Sequence, residues 1–341
     1  MKKNILIFAG LLLLLSSMGA IPEEPAEPAK TPDLEILNTQ KWDDAFYKLV
    51  PQPTEDGNAA TYFLRALHYR GLSGEEQEQW QGYPWLKDFN NDTRKSTKPE
   101  DIERVKNAIH MPELSYLVRG SLQRKYQIYG VHMMPSPEPH KTVFDQPIPE
   151  YISIMKMIYV LMARADSKLA AGDAAGANAV MMAAARVGHI MQKDVTLIGF
   201  MVGEAIELNV AKEMPEFCRK LKDEEKAKAW EDFVQLAEKH REESKNFMRF
   251  LNGTTNEELM KVTDNKTLPR SFRLGSLVNL IGNRALNHPL RATVFGVPDD
   301  VKEFITKDHF DDPEMIIMQL KIIEDAYVGV KAMLRSARGA K

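Results

Sequence analysis

The sequence predicts an all-α protein, an antiparallel helical bundle with stacked helix pairs, on three observations. Residues 149–218 read as three helices in close succession, interrupted at Gly172-Asp173 and again before Asp194. Helix-start signals recur: Ser73-x-x-Glu76, Thr97-x-x-Glu100 and Thr255-x-x-Glu258 have capping-box spacing, and Thr31-Pro32 and Asp312-Pro313 place a cap before a first-turn proline. Strand signals are thin, with no sustained period-2 run of Val, Ile and Thr.

In chain order, Lys2 and Lys3 precede an apolar run from Ile5 to Leu15 and then Ser16-Ser17-Met18-Gly19-Ala20. That order is the pattern of a secretory signal peptide, here residues 1–20, and the run is too short to serve as a comfortable membrane span. No cysteine follows it to accept a lipid anchor. Residues 21–32 hold four prolines among Glu and Ala, a stiff linker between the signal and a helical domain over 33–341. The expectation is an exported protein, periplasmic or secreted, with no integral membrane segment once the signal is cleaved.

Without Lys2 and Lys3 the chain has 43 basic against 48 acidic residues, which argues against a nucleic-acid partner. Cys218 is the only cysteine, so no internal disulfide supports the fold and the hydrophobic core must suffice. Its position beside Phe217 at the end of a helical run reads as a small buried apolar residue.

Helices are expected near 32–49, 57–70, 73–81, 98–109, 112–128, 149–171, 173–192, 194–218, 223–251, 255–264, 269–287, 299–307 and 313–337. Residues 33–148 read as the irregular part and 149–341 as the compact helical core. In 149–171, Ile152, Met155, Ile158, Met162, Ala165 and Leu169 keep helical spacing. Met157, Tyr159, Val160 and Leu161 add apolar surface elsewhere, so this helix should be covered on more than one side. Gly199 and Gly203 are four apart on one helix face, where a neighbouring helix can come close.

Leu169-Ala-Ala-Gly-Asp-Ala-Ala-Gly-Ala-Asn-Ala, with Ala177 and Ala184 five and twelve residues after Gly172, resembles one helix pair of a tetratricopeptide repeat over 169–194. In that family small residues let two antiparallel helices interlock, and stacked pairs form a concave peptide-binding surface. No second copy lies at a 34-residue period. Together with the signal segment, the pattern also resembles uncharacterised exported helical proteins of bacteria.

Candidate chemistry is sparse. Trp80, Tyr83, Trp85 and Phe89 crowd into one stretch and form the candidate ligand-binding platform, or else plug the loop onto the core. His132, His140 and Asp145 on the proline-rich stretch 130–149 are the candidate catalytic set of a hydrolase or lyase; the same histidines with Met133 and Met134 could hold a soft metal, but no repeated ligand spacing supports one. Asp308-His309-Phe310-Asp311-Asp312 is a further acidic cluster at a helix start. Ser153-x-x-Lys156 and Ser244-Lys245-Asn246 have spacings of penicillin-recognising enzymes, yet the third motif and the strands of that fold are missing. Glu204 and Glu207 stand among apolar residues, an expensive position if both are buried. No cofactor or metal is implied. The residues favour a non-enzymatic exported binding or scaffold protein engaging a polypeptide or envelope component, with the His/Asp enzyme as the alternative.

Overall fold

A computed structural model describes residues 31–67, 89–127, 151–287 and 315. Among these the fold is all-α: α1 (Thr39–Tyr47), α2 (Ala59–Ala66), α3 (Asn91–Lys95), α4 (Pro99–Ala108), α5 (Leu114–Gly120), α6 (Tyr151–Ala170), α7 (Ala174–Met191), α8 (Leu197–Lys220), α9 (Glu224–Gly253), α10 (Asn256–Asp264) and α11 (Arg270–Asn287). The exception is a short parallel ladder between β1 (Glu55–Asn58) and β2 (Gln123–Lys125). Both strands are polar and carry no alternating apolar pattern; the expected helix 112–128 ends at Gly120, and β2 begins at Gln123 after a two-residue turn. The expected helix 73–81 and those at 299–307 and 313–337 fall outside the described residues, Met315 apart.

Local chemistry sets most of the boundaries. The first helix starts later than Thr31-Pro32 suggests: residues 34–37 form a turn, and Asn38 caps α1 by accepting from the Lys41 amide. Thr97 does not cap α4, which begins at Pro99 without a side-chain cap. Thr255 and Glu258 form the full reciprocal capping box of α10. Between α6 and α7, Gly172 takes the left-handed conformation (φ 84°) and Asp173 caps α7 through the Gly176 amide.

The centre of the fold is α7. Every residue from Val180 to Met191 is buried, because α6, α8 and α5 pack around it. Helix α9 packs on α8, and α11 touches both. On α6, Ile158, Met162 and Ala165 are buried, and so are Met157, Val160 and Leu161 on its other faces, as the apolar surplus in this helix predicts. The apolar interior has two parts. One runs through α6, α7 and the first turns of α9; the other gathers Leu37, Phe200, Phe247 and Phe272 near α10 and α11.

The α7–α8 crossing is set by glycines, though by a different pair from the one the sequence suggests. A Cβ on Gly203 would lie 2.6 Å from the Gln192 amide nitrogen and 2.8 Å from the Gly188 carbonyl oxygen. A Cβ on Gly188 would lie 2.5 Å from the Glu207 amide nitrogen. These are backbone obstacles that cannot rotate away. Gly199 does a different job: it makes room for the Asp194 carboxylate, which accepts from the Tyr151 hydroxyl (2.7 Å) and from Thr196. Helix propensity alone predicts that glycine to alanine inside a helix gains about 1 kcal/mol. Here Gly203→Ala and Gly188→Ala should each lose about 2–3 kcal/mol by overpacking. Urea denaturation that shows either variant as stable as wild type contradicts this crossing.

Candidate functional site

The glutamates Glu204 and Glu207, three apart on α8, are both buried, and each faces a histidine on a flanking helix. His189 Nδ1 on α7 lies 2.6 Å from Glu207 Oε2, and its Nε2 lies 2.7 Å from Asp43 Oδ1 on α1. His240 Nδ1 on α9 lies 3.0 Å from Glu204 Oε1, to which the Ser244 hydroxyl also donates at 2.8 Å. The charge cost anticipated for two buried glutamates is thus offset by specific partners on both sides.

Helix α1 covers this layer. Trp42 and Phe46 are four apart and share a face. The Trp42 ring stacks on His240 at 4.1 Å between centroids, and the Phe46 ring stacks on His189 at 4.0 Å and 3°. Asp43, between them, binds His189 and also accepts from Lys193 Nζ at 3.1 Å.

The protonation of His189 follows from its geometry. Ionised carboxylates only accept, so an imidazole bonded to one at each nitrogen must donate twice, which is the imidazolium. Burial pulls the His189 pKa down, but Glu207 and Asp43 outweigh it and hold the value above the ordinary one. Burial likewise pushes the Asp43 carboxyl up, and the bonds from His189 and Lys193 outweigh that to hold it below the usual range. His189 is 1% exposed and offers no free nitrogen, so it cannot act as a base toward a bound molecule. The cluster is a clamp.

Outside the clamp lies a polar cleft of about 230 Å³, lined by Asp43, Asp44, Tyr47, Gln52, Arg124 and Lys193 among others. It carries both signs of charge, and Asp43 and Lys193 connect it to the clamp. The Tyr47 phenol, half-buried at the rim, is kept neutral by burial and by the nearby Asp43 and Glu207 charges.

Of the residues singled out from sequence, Trp80, Tyr83, Trp85, His132, His140 and Asp145 lie outside the described residues, as does the 308–312 cluster. Phe89 is fully buried in the main apolar cluster, the plug position. Ser244 is buried against Glu204 while Lys245 is exposed, so that pair faces no common pocket. Cys218 is buried, and burial raises its pKa, as expected of a packing residue. Among the described residues no group of three or more His, Cys, Asp and Glu could hold a metal ion, and no helix is long and apolar enough to cross a membrane. No protein-family model, curated protein or solved structure matches the chain.

His189, Asp43 and His240 are the residues that sequence reasoning missed. The available signal was the pair Glu204 and Glu207 in an apolar helix, which demands buried cationic or donor partners, with His189 and His240 on the adjacent helical runs able to supply them.

Two outcomes test the clamp. His189→Leu leaves Asp43 and Glu207 without their shared cation and should cost about 3–5 kcal/mol of unfolding free energy. In wild type, the contribution of the lowered Asp43 is present above about pH 4 and lost as pH falls through its folded value. The contribution of the raised His189 is present below about pH 6.5 and lost as pH rises through its folded value. The clamp therefore contributes fully between those limits, and melting temperature should fall on both sides. A His189→Leu protein with the same pH profile as wild type contradicts the assignment.

Proposed function

We propose that the protein is an exported helical binding or scaffold protein, which engages a polypeptide or another envelope component. The charged N-terminus with its apolar run supports export. The observation that carries the binding reading is the mixed-charge cleft at α1, which rests on an interior layer whose ionic groups are already committed to one another. Its roughly 230 Å³ accommodates a few polar side chains. Asp44 can accept from backbone amides or a lysine, and Arg124, whose ion pair with Asp56 is exposed, can bind a carboxylate or a carbonyl. Such a set suits a polypeptide, which presents both donors and acceptors. The charge balance of the chain gives no support to a nucleic-acid ligand.

A photoreactive residue at the exposed Gln52, introduced in the full chain and irradiated in the cell envelope, tests the reading. The expected result is a crosslinked polypeptide whose yield drops at least tenfold, order of magnitude, in Asp44→Lys/Arg124→Glu with no change in melting temperature, since exposed charges add little stability. Crosslinking that is unaffected by the charge reversals contradicts the reading. So does a hydrolytic or lyase activity that disappears with His140→Ala.

A further inference from the structure

Behind the cleft, the space between α1 and the end of α7 narrows to a cavity of about 20 Å³ lined by Thr39, Trp42, Asp43, His189, Gln192 and His240 among others. That is room for one water-sized molecule, which needs about 10–15 Å³ on this measure. Four buried polar atoms of the lining residues have no protein partner: Thr39 Oγ1, Trp42 Nε1, and both Nε2 and Oε1 of Gln192. Trp42 and Gln192 are each 6% exposed, so bulk solvent does not satisfy these groups. Buried donors and acceptors of this kind are rarely left unpaired.

The four atoms form a matched set. Trp42 Nε1–H and the Gln192 amide nitrogen donate; Gln192 Oε1 accepts, and the Thr39 hydroxyl can do either. One water, with two donors and two acceptors, complements them. An ion fits worse. Asp43 is already balanced by His189 and Lys193, so added charge here would be uncompensated in a poorly solvated place.

We propose that this cavity binds a single buried water, and that the water hydrogen-bonds α1 to Gln192 at the C-terminus of α7. The aromatic stacking and the Asp43–His189 bond hold α1 by its middle and far end; the water holds it near its start. The inference is independent of the binding reading, since it concerns the joint beneath the cleft.

Water ¹⁷O relaxation dispersion, which measures long-lived internal waters, tests it on the full chain. Gln192→Met, close in volume and without the amide, should lower the dispersion amplitude by one water while circular dichroism stays unchanged. Thr39→Val provides a second variant in case the first unfolds, and should shorten the residence time of the same water. An amplitude and residence time unchanged in the folded variants overturn the proposal. An anomalous peak within the cavity after a bromide soak overturns it too, because the site would then select an anion.

Discussion

A protonated imidazole held between two carboxylates inside a helical bundle constrains everything around it. His189 can stay charged at that depth only while Asp43 and Glu207 remain at hydrogen-bond distance on opposite sides. Glu207 reaches it because α7 and α8 approach backbone to backbone at Gly188 and Gly203, one residue and four residues away along their helices. Asp43 reaches it because α1 is seated by Trp42 and Phe46 over the two histidines. The tight crossing, the ionic clamp and the docking of α1 are thus one arrangement. A change at any of the three is transmitted to the others.

The second pair, His240 with Glu204 and Ser244, extends this layer across α8 to α9. On α8, Phe200 belongs to one apolar cluster and Ile206 to the other; on α9, Ala237 and Phe247 are divided in the same way. Glu204 and His240 sit between those residues, so this second pair lies where the two apolar clusters meet. Apolar contacts alone tolerate sliding of one helix on another, whereas a directional pair in a poorly solvated place does not. Moving α1 by one residue would take both rings off the histidines and Asp43 off His189. The layer therefore fixes the register of four helices at once.

Much of the helical core was legible. The Thr255 capping box, the break at Gly172-Asp173 and the apolar excess of 149–218 are local signals, and they locate α6 to α11 within a few residues. What was not legible depends on distance in the chain. The β1–β2 ladder joins Glu55 to Gln123 through polar residues with no strand pattern. The close crossing partner of Gly203 is Gly188, which cannot be identified before the helix geometry is known, while Gly199 answers to the Asp194 carboxylate. Asp43 and His189 are 146 residues apart, and nothing local in either segment announces the other. The costly placement of Glu204 and Glu207 was the one sequence signal that pointed at this layer. It named the acids and left their partners open.

The cleft at α1 takes its character from this arrangement: a surface of both charge signs on a base that has no spare ionic capacity. Histidine side-chain ¹⁵N spectroscopy of the full chain near neutral pH tests the central claim most directly. One histidine should show both ring nitrogens protonated, its N–H protons protected from solvent exchange, and the signal should vanish on replacing His189. A spectrum in which His189 is a neutral tautomer with one bare nitrogen would contradict the clamp and the register argument built on it.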